Sequence, residues 1–189
     1  VTMYDLDWLA WGQQRDLDHP MLYTRAGEHL SYHQRLATVG DTLISHIAED
    51  RVRDGVTHVH AAVDHLHQAV TAAELDVLVI VGDDQDEHLL AKNLPPFLVY
   101  WGDTIRNDSI EASFNDLPPL TQSWLPGYRE VGPANDYPVD AALALHLIAH
   151  ALDSGFDVAS SSQLPTEGQA MGHAFAFPMR RITRAPIPI

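Results

Sequence analysis

The chain has 189 residues, enough for one domain with a sizeable core, and its 46% hydrophobic and 20% charged content is ordinary for a globular protein. Its formal net charge of −15, from 26 acids against 11 bases, disfavours nonspecific nucleic-acid binding, because phosphates need a basic face. The absence of cysteine excludes disulfides and thiolate metal sites and fits a reducing, cytoplasmic setting; with 12 histidines present, a metal would be held by imidazole, carboxylate or amide groups. No apolar run approaches the roughly 18–20 residues of a membrane span, and no signal-peptide pattern opens the chain.

Residues 1–27 carry scattered aromatics (Tyr4, Trp8, Trp11, Tyr23) and read as short helices and loop. Leu30, Leu36, Val39, Leu43, Ile44 and Ile47 recur near helical period and predict a helix over 28–50. Asp54-Gly55 is expected to break it, and Thr57 to start a second helix running to about Ala73, with Val59, Ala62, Val63, Leu66 and Val70 on one face. Leu75 to Val81 is an unbroken apolar run, expected to be a strand buried on both faces, as parallel sheets make them. After Pro95-Pro96, Phe97 to Trp101 reads as another strand. Residues 102–135, rich in Pro, Gly, Asn and Asp, form a long excursion of the kind that serves as a lid or an interface. Asp136-Tyr137-Pro138 predicts the start of a helix running to about Ser154, stopped by Gly155. Phe156 to Ser160 reads as a short strand, 161–172 as loop. Alternation of helix and strand favours one α/β domain over 1–189, a sheet of mostly parallel strands with helices on both faces in three layers.

Ligands in open α/β sheets bind beyond the carboxyl ends of the strands. Gly82 to His88 follows such a strand end and carries Asp83, Asp84, Gln85, Asp86, Glu87 and His88. The cluster is either a polar turn or helix start, where acids are favoured, or a metal or proton-transfer site. His58, His60, His65 and His67 are spaced by two, five and two along one predicted helix, wrong for chelation, and read as a solvated face. His146 and His150, four apart, lack the intervening Glu of a zincin helix and read as structural. His173, between Gly172 and Ala174-Phe175, has small neighbours that give access and aromatic ones that offer a slot for a ring. It is either a structural histidine or an acid–base group. Arg180 and Arg181 either bind a carboxylate or cover the surface. No nucleophile elbow, Walker loop or dinucleotide fingerprint is present.

Four segments in this order carry a resemblance: Leu78 to Glu87, Pro95 to Gly102, Gly172 to Met179, and Pro186-Ile187-Pro188-Ile189. Together they resemble class III extradiol ring-cleavage dioxygenases, nearest the protocatechuate and methylgallate branch of their catalytic subunits. The likeness covers about residues 70–189. It implies an Fe(II) enzyme that opens a catechol-type aromatic acid with O2, both oxygen atoms entering the product, in aromatic compound catabolism. It also implies either a homo-oligomer or a small partner subunit. In that family two histidines and a glutamate hold the iron. Gln85 falls where the second histidine is expected, so the resemblance implies that Gln85 substitutes or that His88 steps in. His173 matches the histidine that contacts substrate or oxygen, with Arg180 or Arg181 orienting the substrate carboxylate. The other two ligands are expected outside these 189 residues, the chain being a fragment incomplete at both ends and prone to aggregate alone. Two other readings stand beside this one. A noncatalytic protein of the same fold is favoured by Gln85, and a divalent-metal hydrolase by the carboxylates of Asp83–Glu87.

Overall fold

The computed structural model describes residues 14–19, 22–39, 45–46, 48–85, 87–89, 94–110, 115–117, 119–164, 170–185 and 187–189. In chain order its elements are β1 (Leu22–Tyr23), β2 (His29–Leu30), α1 (Tyr32–Thr38), α2 (Glu49–Ala72), β3 (Leu98–Tyr100), β4 (Thr104–Asn107), α3 (Pro119–Trp124), β5 (Asn135–Pro138), α4 (Ala141–Asp153), β6 (Ala159–Ser161) and α5 (His173–Pro178), which runs on into a π-helix, Met179–Thr183. The architecture is mixed α/β, with one parallel pair, β3–β6, and two antiparallel pairs, β1–β2 and β4–β5. The chain divides into two compact units, 1–64 with 113–124, and 65–112 with 125–189, the first boundary falling inside α2.

In the first unit, where a helix was expected over 28–50, residues 28–39 instead hold β2, paired with β1, and the short α1. Ser31 sets the start of α1 through a capping box: its hydroxyl accepts from the Gln34 main chain at 3.2 Å, and the Gln34 side chain accepts from the Ser31 N–H at 2.8 Å. A local cap of this kind overrides the longer periodicity. The aromatics Tyr4, Trp8 and Trp11, and Leu43, Ile44 and Ile47, lie outside the described residues.

α2 runs unbroken through Asp54-Gly55, where a break was expected. A glycine in a helix interior costs only about 1 kcal/mol relative to alanine. Against it stand Glu49 and Asp50 in the first turn and the Glu49–Arg53 pair at 2.7 Å. The half-buried stripe of α2 is Val52, Val56, Val59, His60, Val63, His67 and Val70, while Ala62 and Leu66 are exposed. The histidine face is therefore split. His58 and His65 are solvated, but His67 donates from Nδ1 to the Ile182 carbonyl at 2.8 Å.

The second unit is built around Ile105, Tyr137, Met171, Ala176 and Met179, all buried, with Leu78, Ile80, Tyr128, Phe175 and Ile189 packed against them. The run 75–81 is not a strand of any of the three sheets. Leu78 and Ile80 meet the core while Val79 and Val81 are 60% and 93% exposed, so the run has one buried face, not two. Its Leu78 N–H reaches the Pro188 carbonyl at 2.9 Å, and Ile189 in turn joins Pro138 and Asp140. The terminal Ile187 to Ile189 segment therefore ties this run to β5.

The strand expected over 97–101 is β3, and the one expected over 156–160 is β6, shifted slightly towards the C-terminus. Asp136-Tyr137-Pro138 lies in β5 instead of starting a helix; β4 takes it up, pairing Ile105 with Tyr137 and Arg106 with Asp136. Asp140 is the residue that caps α4, accepting from the Leu143 N–H at 2.9 Å, and Ser154 and Gly155 (φ 85°) close it as expected.

Glu130 is the polar centre of this unit. Its Oε1 accepts from the Tyr137 hydroxyl and from the Asn107 amide, both at 2.9 Å, and its Oε2 pairs with the Arg180 guanidinium at 2.9 Å. Glu130 and Arg180 side chains are each 16% exposed and Asn107 is fully buried. Removing one partner of a buried pair strands the other. Glu130→Ala is therefore expected to cost about 3–5 kcal/mol in urea unfolding, and Tyr137→Phe about 1 kcal/mol. Burial, then the bond to Glu130, raises the Tyr137 phenol above its ordinary value of 10.0. A raised native value means stability that is full below about pH 10 and is lost as pH climbs through the native value. Tyr137→Phe should therefore flatten the alkaline fall in stability, which unfolding measured between pH 9 and pH 11 would read.

Candidate functional site

Two of the segments singled out in the sequence, 82–88 and 172–178, meet in space. Gly172 has no side chain with which to cap α5, and the cap comes from Glu87, 86 residues away. Its Oε2 accepts from the His173 main-chain N–H at 3.0 Å, and its Oε1 is hydrogen-bonded to the His173 ring Nδ1. The approach is close enough that glycine matters. A Cβ added at Gly82 would lie 2.9 Å from the Ala174 Cβ and 3.3 Å from the Phe175 ring. One added at Gly172 would lie 3.5 Å from the His88 ring and 3.6 Å from Glu87 Oε2.

Asp84 shapes the turn that presents Glu87. Its two oxygens accept from the main-chain N–H groups of His88 and Leu89, both at 2.9 Å. Gln85 is exposed and gives its amide to Asp83 at 3.2 Å. His88 is half-buried beside Gly172. Asp86 lies outside the described residues. Asp84 and Glu87 are thus spent on main-chain donors and on His173, which is the polar-turn reading with a contact to a remote helix added.

Across from the dyad stands Tyr128, from the 102–135 excursion, its ring meeting the His173 ring edge-on at 5.9 Å between centroids. The Arg129 guanidinium lies 5.5 Å from the Tyr128 ring centre and donates to the Met171 carbonyl at 3.1 Å. Burial raises the Tyr128 phenol; Arg129 opposes the shift and the Glu87 charge adds to it. The phenol is therefore held as a neutral donor near neutral pH. The side chains of His173 and Glu87 are 34% and 25% exposed, so the ring remains reachable.

Arg180 follows His173 by seven residues, about 10 Å along a helical run, and the structure gives it to Glu130. Arg181 is half-buried, and its carbonyl accepts from Arg184 Nε at 3.0 Å. An open cavity of about 500 Å3 lies beside Arg180, lined also by Glu130, Tyr137 and Arg184, and His173 is not part of its wall. His146 and His150 stack at 6.4 Å on the exposed side of α4, and no third ligand joins them into a metal-binding group among the described residues.

Of the two residues expected to hold iron, Gln85 gives its amide to Asp83 and His88 lies half-buried beside Gly172; no three His, Asp or Glu side chains gather into a metal-binding group among the described residues. Sequence reasoning missed Glu87 as a partner of His173, and Tyr128 and Glu130 altogether. The signal for Glu87 was the glycine pair, Gly82 and Gly172, which marks close approach of two backbones. Comparison of the chain with protein-family models, with characterised proteins and with solved structures returns no match.

The contact at Gly82 gives a direct check on this convergence. Gly82→Ala is expected to push Ala174 and Phe175 aside and cost about 1–3 kcal/mol, read as a lowered urea midpoint. A variant as stable as the parent would mean the two segments are not packed together.

Proposed function

We propose that the chain carries the acid–base machinery of an extradiol-type, ring-cleaving dioxygenase acting on a catechol-type aromatic acid of the protocatechuate or gallate kind, with His173 as the group that moves the proton. The observation that carries this reading is the Glu87–His173 contact. It unites the two motifs on which the family resemblance chiefly rests, and it supplies a carboxylate-backed imidazole beside a neutral phenol. The three-layer sheet of that family belongs to the same proposal.

The chemistry of this chain's own residues is limited and definite. A partly exposed imidazole accepts a phenolic proton from the substrate and returns it later in the cycle. Tyr128, neutral and adjacent, donates a hydrogen bond to a substrate oxygen and offers its face to an aromatic ring. Fe(II), if bound, would supply chelation of the diol and activation of O2, and His88 and Gln85 are the residues of this chain that would help hold it. Arg129, beside Tyr128, is better placed to meet a substrate carboxylate than Arg180, whose charge is matched by Glu130; Arg181 stays the alternative. The substrate is a small aromatic acid with O2, in a cytoplasmic catabolic enzyme that works as a homo-oligomer or with a small partner subunit. No helix among the described residues is long and apolar enough to cross a membrane.

A second reading is a noncatalytic protein of the same fold, favoured by the exposed Gln85 and its bond to Asp83. One experiment separates the two. The protein is loaded with Fe(II) without air and mixed with protocatechuate, gallate or 3-O-methylgallate in an oxygen electrode. Iron-dependent uptake with a yellow ring-opened product supports the enzyme, and absence of both iron binding and uptake supports the scaffold. In the active protein His173→Phe should lower kcat by about 10²–10⁴; an unchanged kcat would remove His173 from proton transfer.

A further inference from the structure

We propose that Glu87 is the positioning residue of His173: its carboxylate holds the ring as the Nδ1–H tautomer, so that Nε2 is the atom that accepts and returns the substrate's proton. The inference rests on the reading of His173 as the acid–base group and adds the residue that sets which of its two nitrogens works.

The argument is one of donors and acceptors. An ionised carboxylate has no hydrogen to give. A ring nitrogen bonded to Glu87 Oε1 must therefore carry the proton, and Nδ1 is that nitrogen. In a neutral imidazole the other nitrogen, Nε2, then holds the lone pair. The second oxygen fixes the ring's origin as well as its tautomer, because Oε2 accepts from the main-chain N–H of the same residue at 3.0 Å. Backbone and ring of His173 are thus held by one side chain. Glu87 is itself placed from the other side, by the Asp84 turn and by the close approach at Gly82. The edge-on contact with Tyr128 restricts the remaining rotation of the ring.

A purely structural role is the competing account, since Glu87 also caps α5 in place of the absent Gly172 side chain. Glu87→Gln separates the two. Glutamine has the same shape, with one acceptor oxygen and one NH2 group. The main-chain N–H can only donate, so the amide oxygen stays on it and the cap survives. The NH2 then faces Nδ1, which must become the acceptor, and the proton moves to Nε2. A cap would be kept and a tautomer inverted.

The measurement is the two-bond 1H–15N correlation spectrum of the histidine rings in the whole chain without metal. The His173 signals are identified among the 12 histidines by their loss in His173→Gln. Nδ1–H is expected in the parent and Nε2–H in Glu87→Gln, with the unfolding midpoint nearly unchanged. In the oxygen-uptake assay the same substitution should lower kcat by about 10²–10⁴ and leave KM nearly unchanged. Nε2–H in the parent protein, or a Glu87→Gln protein with the parent's tautomer and turnover, would overturn the proposal. The parent spectrum needs no Glu87 substitution, so it decides even if Glu87→Gln folds poorly. Inverted tautomers in a chain that never takes up oxygen would overturn the dioxygenase reading while supporting the hold of Glu87 on the ring.

Discussion

The second unit depends on a single carboxylate reaching across 86 residues of sequence. Without Glu87 the first N–H of α5 would face the end of a glycine, with no side chain to satisfy it. A bond of that kind is modest in isolation, about 1–3 kcal/mol when one partner is charged. Its leverage is geometric. It sets where the helix begins, and therefore where Ala176 and Met179 enter the core and where the His173 ring stands. The glycines at 82 and 172 are the steric condition for it, because side chains there would stand between the two segments.

The same helical run is held at its far end by a comparable device. Glu130 grips Arg180 while also accepting from Tyr137 and Asn107, and His67 donates to the Ile182 carbonyl in the last turn. Orphan donors lie at the start of a helix and orphan acceptors at its end. Here an acid serves the first and an imidazole N–H the second, which also suits the helix dipole. Among the described residues the buried apolar core between these ends is small, and polar contacts from remote segments carry much of the positioning. That is a demanding way to place a helix, since each contact must be satisfied in full. It also leaves a more sharply defined ring at His173 than a greasy contact surface would.

How far this was legible in the sequence follows from the range of each interaction. Local signals were read correctly where they were short: Ser154 and Gly155 ended α4, and Phe97 to Trp101 contained β3. They misled where a neighbour in space outweighed them. Asp136-Tyr137-Pro138 has the residues of a helix start, yet β4 was available to pair with it, and Asp140 lay four residues on to cap the helix instead. Val77 to Val81 has the composition of a doubly buried strand, but alternation decides burial, and only Leu78 and Ile80 face the core. At the site, His173 was visible because its neighbours are unusual. Glu87 was visible only as one acid among several, since nothing local tells a carboxylate that caps a remote helix from one that faces water.

The electrostatics of the whole chain sharpen the question of what the site selects. With 26 acids and 11 bases the chain disfavours anions, so the aromatic acid proposed above would need a local cation. Arg180 and Arg181 were the candidates by sequence. Closeness along a helix is not closeness to a ligand, and seven residues carry Arg180 two turns away, where Glu130 neutralises it. Arg129 lies instead against Tyr128, the residue whose ring touches that of His173. Its guanidinium already binds the Met171 carbonyl, the residue just before Gly172. A cation fixed beside a phenol and a carboxylate-backed imidazole suits the proposed aromatic acid better than one already matched by a carboxylate. Tyr128 and Arg129, both from the 125–135 part of the excursion, thus stand beside the carboxylate-backed imidazole of His173.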